Sequence, residues 1–177
     1  MSGLHQELRI KALAERSSYV ENVLRHALVA SLSSVVWLRD PLASLQVFNA
    51  EVDDSGFDIV LTLGKQVRYI QLKQAHSGKI PVHCSVRLSF SEMVGSCIVL
   101  MSHRSQDLSL ESFRFFGAGP GEPMSDIGDL RVSRSPGRRS AEGERKVRAN
   151  YRDVPVRRFV GPLSASDLLD QLFPVDS

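Results

Sequence analysis

The residues of this chain whose types and spacing suit chemistry are Asp58, Gln71 and Lys73, and they bracket a hairpin pattern. Residues 56–63 and 67–72 are rich in β-branched and aromatic side chains, and Gly64-Lys65 between them suits a two-residue type II′ turn. With those turn residues Leu63 faces Gln66, and counting outward sets Asp58 opposite Gln71 and Gly56 opposite Lys73. Cross-strand partners share a face. A carboxylate, an amide and an amine are therefore expected on one side, with Gly56 leaving room beside Lys73. Burying a carboxylate or an amine without a partner costs roughly several kcal/mol, so the charges need an account beyond strand formation. A strand-edge salt bridge between Asp58 and Lys73 is one account, and a functional site is the other. The full set favours a site: an acid ending a turn, then a hairpin, then Gln-Leu-Lys inside an otherwise apolar strand.

Asp58 followed after twelve residues by Gln71-Leu72-Lys73 resembles the PD-(D/E)XK nuclease superfamily, in the branch where glutamine replaces the second acid, as in Mrr-like restriction endonucleases. The chain is also similar to a set of bacterial proteins with an EVDxxG(F/Y)D segment followed by IQLK. Here these are Glu51-Val52-Asp53, Gly56-Phe57-Asp58 and Ile70 to Lys73. The motif region covers about a quarter of the chain, and the likeness extends weakly to Phe-Phe-Gly at 115–117 and Pro-Gly-Glu-Pro at 120–123.

The resemblance implies an α/β protein with a restriction-endonuclease-like mixed β-sheet core preceded by N-terminal helices. It implies a Mg²⁺ (or Mn²⁺) dependent hydrolase of phosphodiesters, a DNA endonuclease of defence or restriction type. Mg²⁺ takes oxygen ligands and keeps several waters, so Asp58, the side-chain oxygen of Gln71 and the backbone carbonyl of Leu72 would form part of its shell. Lys73 would orient or deprotonate the attacking water, or stabilise the phosphate. An amide at Gln71 supplies less charge than a carboxylate, so a further acid should compensate. Glu51, ending the preceding strand, and Glu21, in the preceding helix, are the candidates. The alternative is a catalytically inactive nucleic-acid-binding module, or a subunit of a larger defence complex. Folds of this kind often work as homodimers or with a partner recognition subunit.

The elements that must hold these residues are partly legible. A chain of 177 residues with 42% hydrophobic composition fits one domain, residues 1–177, with a sizeable core. No run of eighteen apolar residues exists and the N-terminus mixes acids and bases, so a cytoplasmic protein without a membrane span is expected. Cys84 and Cys97 lack CxxC spacing and the histidines at 5, 26, 76, 83 and 103 form no HExxH or HxH pattern, so the thiols read as buried and a zinc site is not expected. From Leu4 to about Val36 apolar residues recur at helical spacing, and Ser18 with Glu21 fits a capping box that would start a second helix at Ser18. Leu45 to Val52 reads as the first strand, Cys97 to Met101 as a buried one, and Leu108 to Phe116 as a strand whose aromatics belong to the core. Val82 to Phe90 satisfies both strand and helix spacing. Ser164 to Phe173 reads as a short capped helix with Leu168, Leu169, Leu172 and Phe173 on its buried face.

Charge is unevenly placed. Residues 131–158 hold ten Lys/Arg against three acids, +7 in a chain whose net charge is +2. No apolar period is sustained there, and the Ser-Pro-Gly-Arg-Arg-Ser run at 135–140 suggests a mobile basic loop. Arg134, Arg138, Arg139, Arg145, Lys146 and Arg148 are its candidates for phosphate contact. His76 and Lys79, just after the hairpin, are further candidates.

Overall fold

The computed structural model describes residues 8, 11–13, 15–49, 56–76, 78–135 and 145–175. Glu51, Arg138 and Arg139 lie outside them, as does most of the 135–140 run.

Helix α1, Ser17–Arg39, buries Val20, Leu24, Leu28, Leu32 and Val36, a fourfold spacing that lays one apolar stripe along the helix. The expected capping box at Ser18 is not formed. Arg16 occupies the N-cap with no side-chain bond, and the helical bonds Arg16 N to Ala12 O and Val20 N to Arg16 O run through the junction. The helix does start afresh near the expected place, since Arg16 is a turn residue and Ser17 the first helical one, and Glu21 is left to line the cleft described below.

Strands β1 (Leu45–Asn49), β2 (Ile59–Leu63), β3 (Gln66–His76), β5 (Ser96–His103), β6 (Leu110–Gly117) and β9 (Val160–Leu163) form a six-stranded mixed sheet in the order β1-β2-β3-β5-β6-β9. Only β3 and β5 in it run parallel. Strands β4 (His83–Arg87), β8 (Val147–Pro155) and β7 (Val132–Arg134) form a second, three-stranded sheet in the order β4-β8-β7. Two cores result. One lies between α1, the C-terminal helix α3 (Ala165–Leu172) and the large sheet, and the other between the large sheet and the small one. Strand β5 is buried at every position because Cys97, Val99 and Met101 enter the first core while Ile98 and Leu100 enter the second. A strand covered on both faces has no reason to alternate. Phe113 and Phe115 join the first core and Phe116 the second, as core aromatics.

The hairpin has the expected register: Leu63 pairs with Gln66 and Ile59 with Ile70 across a turn with Gly64 at φ +60°. The Val82–Phe90 region resolves into both alternatives, strand β4 followed by the short helix α2, Leu88–Ser91. The basic segment differs from expectation. It contains β7 and β8, an antiparallel pair hydrogen-bonded to β4. Strand β8 buries only Asp153 and Val154, so its apolar signal is too short to show as a period. The C-terminal helix forms as read, with Ser164 and Asp167 closing a reciprocal capping box and Leu168, Leu169, Leu172 and Phe173 buried. Arg39 of α1 anchors it through Asp170 and the Ser166 hydroxyl. Among the described residues no helix is long and apolar enough to cross a membrane.

Candidate functional site

The site follows from unequal strand lengths. Strand β2 pairs with β3 only as far as Ile59 and Ile70, whereas β3 continues to His76 against β5 on its other side. Residues 71–76 therefore present an edge that β2 does not cover. Asp58 stands where β2 ends: its N–H donates to Ile70 O at 2.9 Å, and its Oδ2 accepts the Leu72 N–H at 2.6 Å. In an extended strand the N–H and C=O of one residue point to the same side, so the Leu72 carbonyl shares this edge with the Asp58 carboxylate.

A cleft of about 390 Å³ opens there. Helix α1 lines it with Glu21, Asn22 and Arg25, the hairpin with Asp58, Leu72 and Lys73, and the start of the small sheet with His83, Cys84 and Ser85. Because it straddles a strand edge, the cleft reaches both faces of the large sheet. Leu72 and Met101 belong to the helix side, while Lys73 shares the other face with Ala75. The Cys84 thiol is pushed up to about 11 by burial, with the neighbouring Lys73 ammonium pulling it back down. Among the described residues Lys73 forms no ion pair, so the strand-edge salt bridge between Asp58 and Lys73 is absent.

Two expectations about this face are corrected. The space over Gly56 is taken by Phe90 of α2, since an added Cβ would stand 3.1 Å from Phe90 Cβ and 3.8 Å from Arg87 Cβ; it does not make room for Lys73. Gln71 does not line the cleft. Its Oε1 is buried and has no hydrogen-bond partner among the described residues. A buried acceptor left unsatisfied costs roughly 1–3 kcal/mol, so this oxygen is suited to a cation or donor that arrives with a ligand.

Oxygen donors of the kind a hard divalent cation takes line the cleft. Asp58, Glu21 and the Leu72 carbonyl offer oxygen at the cleft, and the orphaned Gln71 oxygen is of the same type. Among the described residues no three His, Cys, Asp or Glu side chains converge on a metal position, so the donor set mixes carboxylate, carbonyl and amide. Of the two compensating acids, Glu21 reaches the cleft and Glu51 lies outside the described residues.

The basic strands connect to the cleft at one point. Arg148 stacks over the Tyr151 ring at 3.5 Å and its Nη1 donates to Ser85 Oγ at 3.4 Å, while Ser85 Oγ is 2.7 Å from Ser133 Oγ. Arg134, Arg145 and Lys146 are exposed on or beside the β7–β8 pair and do not line the cleft. A second hollow of about 400 Å³ shares Gln74 and Pro81 with the cleft and carries His76, Lys79 and His103, which lengthens the cleft into a groove.

The residues that sequence reasoning passed over are His83 and Asp153. His83 Nε2 lies 3.4 Å from Asp153 Oδ2, with the imidazole half exposed and the carboxylate side chain only 10% exposed. Seventy positions separate them, and no spacing rule links two neighbouring strands so far apart in the chain. Comparison with family models, with curated proteins and with solved structures gives no match for this chain.

Proposed function

We propose that this protein is a metal-dependent phosphodiester hydrolase acting on DNA, a restriction-endonuclease-like enzyme of the cytoplasm that works as a homodimer or beside a recognition subunit. The observation that carries the reading is the cleft at the uncovered edge of β3, where Asp58, the Leu72 carbonyl, Glu21 and Lys73 meet and Lys73 forms no ion pair among the described residues. Asp58, Leu72 O and Glu21, with the Gln71 amide behind them, would hold Mg²⁺ or Mn²⁺, which would supply an activated water and offset charge on the phosphate. Lys73 orients that water and takes or returns its proton. Arg25 binds the phosphate from the helix side of the cleft, and Arg148, through Ser85, extends the positive wall along the strand of nucleic acid. The groove past Gln74 toward His76 and Lys79 gives a polymer room to run on in one direction.

Incubation of plasmid and linear DNA with Mg²⁺ or Mn²⁺ tests this. The wild-type protein cleaves and Lys73→Ala does not; equal cleavage by both, or none by either, overturns the reading. DNA binding without cleavage would instead identify a non-catalytic binding module. In either case Arg148→Ala lowers the slope of log affinity against log salt by about 1, as expected for a lost phosphate contact.

A further inference from the structure

We infer that His83, held by the buried Asp153, is the acid that protonates the leaving oxygen when a phosphodiester is cut in this cleft. The inference rests on the hydrolase reading and adds a catalytic residue to it. Three observations carry it. Asp153 is a nearly buried carboxylate, and His83 Nε2 lies 3.4 Å from its Oδ2. A buried charge without a partner is costly, so Asp153 fixes the ring and leaves Nδ1 as the nitrogen for the cleft. The backbone around both is pinned. Ser85 pairs with Asp153 and His83 with Pro155 across β4 and β8, Val156 N donates to Val82 O at 2.9 Å, and Asp153 N donates to Arg131 O at 2.9 Å. Finally, His83 lines the same cleft as Lys73 and Asp58 but stands on the small sheet, whereas those two stand on the large one.

A proton donor on an element separate from Lys73 and Asp58 suits the reaction. In an in-line displacement the attacking and leaving oxygens lie on opposite sides of phosphorus. Water oxygen bonds phosphorus as the ester P–O bond breaks, and the bonding pair goes to the leaving oxygen. That oxygen takes the proton from His83 Nδ1, and the ring regains one from solvent. Besides Asp153 of β8, the charged groups that share the cleft with His83 are Lys73 of β3, Glu21 and Arg25 of α1, and Asp58. Asp153 is thus a positioning residue. A purely structural role, tying β4 to β8, predicts a different outcome in the following experiment.

DNA, with a poor alkoxide leaving group, is compared with bis(p-nitrophenyl) phosphate, whose phenolate leaves without a proton. His83→Gln slows DNA cleavage by about 10²–10³-fold, the usual worth of a general acid, and leaves the phenolate substrate within about twofold. Asp153→Asn gives the same pattern at about tenfold. Independently of metal and turnover, a short DNA duplex in EDTA displaces the His83 ring signal in a ¹H–¹³C NMR spectrum, the signal being assigned by its loss in His83→Gln. Equal losses on both substrates, no loss on either, or an unmoved ring signal would each overturn the assignment. Wild-type protein that cleaves neither substrate overturns the hydrolase reading itself and this assignment with it, which is a distinct result.

Discussion

Strand β3 carries two cations with opposite fates. Arg68 and Lys73 are five positions apart on one strand. Arg68 is 0% exposed beneath the first core, donates from Nη2 to Ala118 O at 2.8 Å, sits 5.4 Å from the Phe115 ring centroid, and leaves Nε and Nη1 without hydrogen-bond partners among the described residues. Lys73 lines the open cleft. Each cation has a thiol beside it, Cys97 at Arg68 and Cys84 at Lys73, and burial raises both thiols to about 11 while the adjacent cation pulls each down. The difference lies in what covers the strand. At Arg68 β2 is still paired, through Leu61, and both faces are closed; at Lys73 β2 has ended. The contrast shows that a cation in an apolar strand is buried where the neighbouring strand still pairs and opens onto a cleft where that strand stops short.

The largest test of this contrast is a crossed pair of substitutions. Lys73→Met should lower DNA cleavage by about 10³-fold, in the range of acid–base groups, with the urea midpoint unchanged or raised. Loss of folding in place of loss of cleavage would break the comparison. Next in size is the alkaline limit. Both thiols ionise near 11 in the folded protein against 9.0 in an unperturbed chain. The unfolded chain therefore releases these protons first. The stability they contribute is complete below about pH 9 and is lost as pH climbs toward 11, by about 2–3 kcal/mol per thiol at the upper end. Urea titrations at pH 7, 9 and 10.5 should show this decline, and Cys84→Ala should remove about half of it; a flat profile would mean the thiols are not buried as described. Arg68→Met, which keeps length and discards a guanidinium with two unpaired nitrogens, should leave cleavage intact and raise stability by about 1–3 kcal/mol. A fall of that size would show that Arg68 is a partnered structural cation. The smallest effect is kinetic: at pH 8 iodoacetamide should modify Cys84, at the cleft wall, about tenfold faster than Cys97, since reaction follows thiolate fraction and access. Equal rates would place both thiols behind the same opening event.

Local chemistry made a good part of the molecule legible. The Gly64 turn set the β2–β3 register, and the fourfold stripe from Val20 to Val36 and the capping box at Ser164 gave two helices. The features that were hidden depend on neighbours. The Ser18–Glu21 spacing matched a cap, but Arg16 takes the N-cap position, and Gly56 served Phe90, thirty-four positions away, instead of Lys73. Strand β8 acquires its identity from hydrogen bonds to β4 and β7, not from a pattern of its own. In the site, Asp58, Leu72 and Lys73 were readable because one tight turn brings them together. Glu21 was named as an acid of the preceding helix, whereas His83 and Asp153 arrive from the small sheet.

The sequence by itself determined the hairpin and its register, the apolar faces of the helices and the concentration of positive charge, because these follow from turn geometry, side-chain periodicity and composition within a short stretch of chain. Only the tertiary structure decided that β2 ends before β3, that the small sheet folds over the uncovered edge, and that a buried Asp153 reaches His83 at the cleft. Those outcomes depend on long-range strand pairing and on which charges burial leaves with partners, and neither is encoded in the spacing of adjacent residues.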